Sequence, residues 1–596
     1  MTAHADWRLH EPDPMAVAAL SEALAIDPLL ARLLCLRGHG QPQEAKRFLQ
    51  PALRDLPDPL TMADAELAAT CLAQAIAAGK KICVYGDYDV DGISATGLLW
   101  SYFQAIGYPV QTFLPDRFRD GYGLHGARLG ELADGGVDLF ISVDCGTNSV
   151  DEIAAMRARG LDFIVCDHHA LGPERPPATA LLNPQRTDCA YPDKQLSAVG
   201  VALVLCMALR RALHAQGHPG AQVELRPLLE FVALGTIADM VPLSGVNRIV
   251  AWHGLRQLGI SQRPGVQALA RQSDLYALGS DHIGFALGPR INAAGRVAEA
   301  KTAFELLTTQ DPARAQILAE QVNVENNHRR ELQMQVTQAA LAQAQNCPER
   351  GDAVVVADLA WHQGVVGIVA NRVKDDFRVP AFVLAVGEDG VARGSGRSVA
   401  GYDLVEGLRA CHQGGLFERF GGHAFAAGVT IQADRLPLFR QRLAAHVAEV
   451  LPAKDRLETL EIDAELDFAA AGHELLSALD RLEPFGKGNP RPTFLLRNVQ
   501  VHDLQVVGKD RAWVRCAFSL PGRQAVWARK TLAGFGAFSL LGEVVRGECV
   551  DAVIRLERNS FRGSVTVQAT VQDVAPAGTR VAAVVRASGP SRAESL

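Results

Sequence analysis

Between Lys81 and His169, short and almost wholly apolar runs alternate with amphipathic stretches. KICVYGD (81–87), PVQTFLPD, VDLFISVDCG and LDFIVCDHH have strand length; ISATGLLWSYFQAIG (93–107) and VDEIAAMRARG carry helical spacing. Strands that are apolar throughout and separated by helices predict a parallel sheet covered on both faces. Residues 14–78 carry Ala/Leu spacing that predicts helices, broken at RGHGQP and DLPDP. Residues 225–345 are helical in pattern. There Asp311-Pro312, an N-cap before a first-turn proline, starts a helix that runs to about Gln345, long enough to link two domains. A second α/β alternation begins at DAVVVAD (352–358) and continues to about 450. Residues 457–575 differ: strand-like runs such as RAWVRCAFSL and GSVTVQATV, separated by Gly/Pro turns, fit a small antiparallel barrel.

The expected fold class is α/β, with two α/β domains joined by a long helical connection and followed by a β-barrel. The expected boundaries are an N-terminal helical region 1–55, a first α/β domain 56–225 and a helical connection 226–345. A second α/β domain 346–455, the barrel 456–575 and a flexible tail 576–596 complete the chain.

A chain of 596 residues is too long for one domain. Its net charge of −7 excludes a global basic field, so nucleic-acid binding would rest on local patches. Eleven scattered cysteines form no C-x-x-C pair, which signals neither a zinc ribbon nor a disulfide framework and fits a reducing compartment. No apolar signal core opens the sequence and no run of about 18 uninterrupted apolar residues occurs, so a cytoplasmic protein with no membrane span is expected.

The apolar runs end in acids and imidazoles. VYGDYDVDG places Asp87, Asp89 and Asp91 after the first strand. SVDCG contributes Asp144, VCDHH contributes Asp167, His168 and His169, and ALGTIADMVPL places Asp239 after another apolar run. In an open parallel sheet, ligands bind at the carboxyl ends of the strands, so these groups are expected at strand ends around one crevice. So many carboxylates cannot share a crevice uncompensated, since burying one unpaired ion costs several kcal/mol. Two divalent cations about 3.5–4 Å apart would compensate them and would clamp the attacking and leaving oxygens of a displacement at phosphorus. Oxygen and imidazole donors favour Mn²⁺ or Mg²⁺, although Cys145 and Cys166 beside the motifs leave zinc open. Taken alone, DxDxDG could be a calcium loop and DHH a helix cap; the first lacks the trailing glutamate of an EF-hand.

VYGDYDVDG, VDCG, DHH and ADMVPL, in that order, resemble the DHH phosphoesterase superfamily and closely its RecJ branch, the single-strand-specific 5′→3′ exonucleases. The likeness covers nearly the whole chain, through LLCLRG, RFLQP and LPDPLTMADAELAA upstream, and GPRINAAGRV, WHQGVVGIVANRV, GSGRS, RFGGHAFAAG and PFGKGNP downstream. It implies a DHH domain, a helical connection, a DHHA1 domain and an OB-fold, with Mn²⁺ or Mg²⁺ on Asp87, Asp89, Asp91, Asp144, His168 and Asp239. His169 would sit on a metal or on the scissile phosphate.

GSGRS joins glycines, which let backbone amides approach an anion, to hydroxyls and an arginine. An ordinary hairpin turn is the plain alternative; the resemblance implies a 5′-phosphate contact at Ser395 and Arg397. It also implies that His423, in FGGHAFAAG, meets the scissile phosphate or orients the nucleotide, against the alternative of a core histidine. Arg290, Asn292 and Arg296 of GPRINAAGR would take nucleotide phosphates or interdomain salt bridges. Arg117 and Arg119 follow a strand end and are phosphate candidates, while WHQGVVGIVANRV reads as a packed helix. Between Arg491 and Arg562, twelve Lys/Arg against six Asp/Glu give a local excess of +6, interleaved with Trp513, Phe518, Trp527, Phe535 and Phe561. A basic groove with stacking aromatics suits single strands; about half of these aromatics are expected in the barrel core, and Lys509, Arg511 and Arg515 are the individual candidates.

The expected function is removal of 5′-mononucleotides from single-stranded DNA in recombination and repair. A DHH phosphodiesterase for short oligonucleotides or cyclic dinucleotides, and a metal-free replication scaffold, are the rivals. The resemblance implies a single-strand-binding protein and a RecQ-type helicase as partners, and a monomer suffices to enclose a strand.

Overall fold

The computed structural model describes residues 6–586 apart from 118, 122, 274, 276–277, 348–350, 453–458, 508–512, 520–525, 532–546, 562–563 and 581. The chain divides into two compact units. One comprises Gln43–Asn327 and the short segment Leu482–Arg491; the other comprises Met1–Pro42, His328–Arg481 and Pro492–Pro590.

The region expected to be helical at the N-terminus begins with a strand, β1 (Asp6–Glu11), followed by the helices Pro14–Leu24 and Pro28–Leu36. Trp7 and Leu9 are buried while their charged neighbours alternate outward, a period of two over only six residues.

The Gln43–Asn327 unit is built on five parallel strands: β2 (Ile82–Tyr85), β3 (Gln111–Phe113), β4 (Leu139–Val143), β5 (Asp162–Cys166) and β6 (Ala180–Leu182). Their order is β3-β2-β4-β5-β6. Alternate residues feed two cores: Ile82, Val84 and Ile141 enter the larger, and Cys83, Tyr85, Phe140 and Phe163 the smaller on the opposite face. Both faces are covered, as near-continuous apolar strands require. The helix Ala198–Ala215 is long and apolar enough to cross a membrane by length and composition, yet two-thirds of it is buried in the larger core.

The helix Pro312–Gln345 begins where Asp311 Oδ1 accepts from Ala313 N at 2.8 Å. Its early residues Ala315, Leu318 and Val322 pack in the first unit's core. Val336, Ala340 and Ala344 pack in the second unit, against a mixed sheet. That sheet has the order β10-β11-β9-β8-β7, from β7 (Val354–Asp358), β8 (Ala381–Val386), β9 (Val391–Arg397), β10 (Arg419–His423) and β11 (Ala426–Gln432). Only β7 and β8 run parallel. Helix Val366–Phe377 covers one face, while Leu404–Cys411 and Leu436–Val450 cover the other.

After β12 (Thr459–Ile462) and β13 (Ala464–Glu465) come β14 (Thr493–Val507), β15 (Trp513–Ser519), β16 (Val526–Thr531), β17 (Cys549–Phe561) and β18 (Ser564–Pro576). β14 pairs with β15 and β17, β15 with β16, β17 with β18, and β18 with β16, a circuit of five strands. The expected loose tail instead contains β19 (Ala583–Arg586), which pairs in parallel with β1 while β1 pairs with β12. Trp7 Nε1 donates to Asp573 Oδ2 at 2.9 Å. The partners of β1 lie more than 450 residues away in sequence. No local window can report such a pairing.

Candidate metal centre

β2 and β4 are neighbours, and from them the strand order runs outward in opposite directions, to β3 on one side and to β5 and β6 on the other. This is the switch point at which an open parallel sheet leaves a crevice. The DxDxDG spacing is tuned to the turn there. Asp87 follows the strand. Asp89 caps the helix Val90–Ala105, its Oδ1 accepting from Asp91 N at 2.9 Å and Gly92 N at 3.1 Å. A side chain at Gly92 would stand 2.7 Å from Asp87 backbone atoms, so the loop closes only over glycine.

Asp91 lies in the helix's first turn and is fully buried against a second helix N-terminus. Its Oδ2 accepts from Ala198 N at 2.6 Å and its Oδ1 from Val199 N at 3.0 Å. Gly235 makes the room: a Cβ there would stand 2.4 Å from Asp91 Oδ1. Asp144, just past β4, holds a left-handed backbone at φ 63°, a conformation that costs energy and clusters at functional sites. Asp239, expected at a strand end, instead terminates the helix Leu229–Ala238, and Met240 after it has φ 58°. An apolar run such as ALGTIA cannot by itself distinguish a buried strand from a buried helix.

Three sets of ligand atoms each lie within 4.8 Å of one another: Asp87, Asp89 and Asp144; Asp91, His168 and Asp239; and Asp144, Asp167, His168 and His169. His168 Nε2 stands 3.3 Å from Asp144 Oδ1 and 3.8 Å from Asp239 Oδ2. Burial first, then the surrounding acids, push the carboxyls of Asp87, Asp91 and Asp144 well above the usual range. Burial and the charge of Asp89 push Asp239 up to about 7. Burial and the charge of His169 lower His168, which leaves a neutral ring suited to ligation. Asp167 behaves oppositely: burial works to raise it, but its hydrogen bond to His169 Nδ1, at 2.7 Å, and the charge of that ring hold it below the carboxylate range. His169 is raised to about 9, burial being outweighed by the same bond and charge. Asp167 is thus the residue that orients His169, and it also accepts from Thr147 N at 3.0 Å.

Divalent cations fit this donor set. Asp87 Oδ1 is buried with no hydrogen-bond partner, an orphaned carboxylate oxygen facing other acids. Such an atom costs several kcal/mol unless a positive charge meets it. No thiol belongs to any of the three sets. Cys145 and Cys166 are buried in the cores, and burial raises both thiols. Oxygen and imidazole without thiolate suit Mn²⁺ or Mg²⁺.

The remaining candidates divide into those beside the aspartate loop and those elsewhere. Arg117 lies 5.1 Å from the Tyr88 ring centroid, and its charge acts on Asp87. The exposed Arg119 lies in the same turn, its backbone N–H donating to Asp116 Oδ1. Asn292 Oδ1 accepts from Val90 N at 3.2 Å, and Gly295 packs under Tyr88 O, so the helix Gly288–Val297 braces the aspartate loop. Arg290 donates to Asn323 Oδ1 and Ala286 O, and the charge of Arg296 reaches Tyr88.

Ser395 and Arg397 are not in a loop but on β9, facing Gly428 and Ala426 of β11. Across β11, Ala426 also pairs with His423, which is exposed at the end of β10 rather than in a turn. Two small residues thus separate His423 from Ser395 and Arg397, leaving a shallow trough. A side chain on Gly367, in the first turn of helix Val366–Phe377, would come within 3.3 Å of both Ser395 Oγ and the Arg397 guanidinium. A hydroxyl, a guanidinium and a helix N-terminus together suit an anion. Sequence reasoning passed over Gly367; its glycine spacing within WHQGVVG was the available signal.

In the C-terminal strands, Lys509 and Arg511 lie outside the described residues, and Arg515 is on β15. Arg497 bonds Asp551 and Glu465, and Arg558 bonds Asp480, so part of the basic excess is paired locally. Phe518 is buried, as core.

Residues 81–236 match the DHH family N-terminal domain, 351–449 the DHHA1 domain and 462–573 the RecJ OB domain. The chain is similar to the single-stranded-DNA-specific exonuclease RecJ of Bacillus subtilis, at 34% identity over 96% of this chain and 70% of that protein. It is also similar to the RecJ of Dickeya dadantii, at 36% identity over 94% of this chain and 98% of the relative. Its fold matches the crystal structure of RecJ in complex with Mn²⁺ from Thermus thermophilus, with TM-score 0.81 and 31% identity over 96% of this chain and 80% of that one. On these likenesses over nearly its whole length, the chain belongs to the RecJ family.

Proposed function

We propose that this protein is a metal-dependent, single-strand-specific 5′→3′ exonuclease that releases 5′-mononucleotides. The observation that carries the reading is the buried acid cluster with its partnerless Asp87 Oδ1. Asp87, Asp89, Asp91, Asp144, Asp239 and His168 would hold the cations, and Asp91 also fixes the loop through the amides of Ala198 and Val199. When bound, divalent cations supply the charge that stabilises the reacting phosphodiester and favour ionisation of the attacking water. His169, turned by Asp167, offers a hydrogen bond to the scissile phosphate. Arg117 meets the nucleotide on the Tyr88 side of the cluster, with Arg290 and Arg296 as further phosphate contacts. Ser395, Arg397 and the helix N-terminus at Gly367 take the 5′-terminal phosphate, and His423 borders the same trough. The C-terminal strands retain the single strand through Lys509, Arg511 and Arg515. We read the protein as cytoplasmic and monomeric, acting in recombination and repair beside a single-strand-binding protein and a RecQ-type helicase.

The test is Mn²⁺-dependent digestion of a 3′-labelled oligonucleotide, offered single-stranded and as a blunt duplex. The expected result is a ladder shortening from the 5′ end on the single strand alone. Cleavage of a dinucleotide with no action on the long strand would transfer the function to small-substrate hydrolysis.

A further inference from the structure

One segment of the first unit comes from far along the chain. Leu482–Arg491, carrying PFGKGNP, is packed into the Gln43–Asn327 body. Arg248, buried at 3% exposure, donates to Leu482 O at 3.1 Å, Glu483 O at 2.9 Å and Pro484 O at 3.4 Å, and to Phe48 O at 2.9 Å. The fully buried Asn489 donates to Leu482 O and Pro484 O, both at 2.8 Å. At the tip, Leu243 N donates to Lys487 O at 2.8 Å. Side chains at Gly486 and Gly488 would meet Leu243 at 2.7 Å and Pro242 at 3.1 Å, so the glycines let the tip lie flat on the chain just after Asp239. This framework is buried, yet the Lys487 side chain at its tip is exposed.

Lys487 borders a cavity of 560 Å³ that shares His168 with the metal centre. Lys194 also lines it, its Nζ donating to Cys189 O at 2.5 Å. Leu196, Val241 and Pro242 give the cavity an apolar side. Among the described residues neither lysine is in an ion pair. The volume lies in the range of small-ligand sites, and two lysines outside any ion pair beside apolar lining residues suit a sugar–phosphate unit with its base. The acid cluster is therefore flanked by cations at both ends. Arg117 acts on Asp87, and Lys487 is near enough for its charge to act on Asp239.

We propose that this cavity is the subsite for the nucleotide unit on the 3′ side of the scissile bond, with Lys487 and Lys194 receiving the phosphate that follows the scissile one. The assignment rests on the exonuclease reading, in which Arg117 meets the departing nucleotide on the Tyr88 side of the cluster. The rigid Leu482–Arg491 loop then sets the path by which the strand leaves the metal centre.

The test uses the full chain with Mn²⁺ and a short 5′-labelled, 5′-phosphorylated single strand, following release of the first nucleotide. A second strand carries one neutral methylphosphonate between its second and third nucleotides. In wild type and K487R, the neutral linkage is expected to raise KM about tenfold, the loss of one charge-assisted contact. In K487A and K194A the intact strand already has a raised KM, and the neutral linkage adds less than about twofold, as a coupled pair requires. The Lys487 contact that anchors the loop is its backbone carbonyl, so K487A keeps the loop; the K487R result guards against misfolding. An equal methylphosphonate penalty in wild type and K487A overturns the subsite. So does a K487A effect on kcat alone, which would make Lys487 an electrostatic neighbour of the metal centre. A wild type that cuts neither strand defeats the exonuclease reading itself, and the subsite with it.

Discussion

The metal centre and the β9–β11 trough both face phosphate chemistry, and they are built in opposite ways. At the metal centre the functional groups leave the ends of parallel strands and of one helix and are buried or half-buried, so like charges are forced together. In the trough they stand on the faces of antiparallel strands, separated by Ala426 and Gly428, with His423 exposed and Ser395 and Arg397 half-buried. The first arrangement is unstable until a cation arrives; the second needs only a helix N-terminus, a hydroxyl and a guanidinium. Strain accordingly gathers at one site: Asp144 and Met240 are non-glycine residues with left-handed backbones there. The two sites should respond differently to the same insult.

The largest difference is expected from Asp144→Asn. It should reduce nucleotide release by about 10³-fold or more, as loss of a group that acts with its neighbours as a unit does. In chelator it should also stabilise the protein, because it removes a buried carboxyl whose ionisation burial and four neighbouring acids oppose. Removing about 1 kcal/mol of repulsion should raise the chelated melting temperature by roughly 2–4 °C. With Mn²⁺ present the order should reverse. If the variant melts below wild type in chelator, the account of uncompensated repulsion is wrong. Arg397→Ala should raise KM by about tenfold with little change in the chelated melting temperature, since no buried charge is relieved. The decisive comparison is between 5′-phosphorylated and 5′-hydroxyl strands. Wild type should prefer the phosphate and the variant should not; a preference that survives removes the trough from the substrate path.

Metal removal sharpens the contrast further. A ligand at a hundred times its Kd stabilises by about 2.7 kcal/mol, so saturating Mn²⁺ should raise the melting of the Gln43–Asn327 unit by roughly 5–10 °C. Calorimetry with and without Mn²⁺ should show one transition moving and another nearly still. Asn292→Ala should act more weakly, weakening Mn²⁺ binding by about tenfold, because it loosens the loop through Val90 N and removes no ligand. Equal Mn²⁺ titration midpoints for Asn292→Ala and wild type would return Asn292 to a direct phosphate contact.

The same contrast explains what could be read from the sequence. Acids at the ends of apolar runs are a physical anomaly, so Asp87, Asp89, Asp144 and His168 stand out before any fold is known, and they do lie together. Asp239 also joins them, though from a helix end that the apolar run ALGTIA could not reveal. The trough has no such anomaly: GSGRS reads equally as a turn, and its position on β9 depends on strand partners far away in sequence. Asn292 read as a phosphate contact because an asparagine among arginines carries no hint that it braces Val90. Leu482–Arg491 was legible only as a motif, because its partners Arg248 and Leu243 lie some 240 residues earlier.

The smallest expected effect belongs to the strand that local reasoning missed. β1 offers only two apolar residues, and one of them, Trp7, buries its ring while its indole N–H reaches Asp573 Oδ2. Asp573 also accepts from Arg580, beside β19, so this carboxylate ties β1 to the region expected to be a loose tail. Trp7→Phe keeps most of the apolar surface and deletes the donor. It should cost about 1 kcal/mol, the worth of one buried hydrogen bond, while Asp573 keeps Arg580. The loss should fall on the transition that ignores Mn²⁺, with first-nucleotide release unaltered. A shift confined to the Mn²⁺-sensitive transition would mean that β1 stabilises the catalytic body, and the division into one unit that answers to metal and one that does not would have to be redrawn.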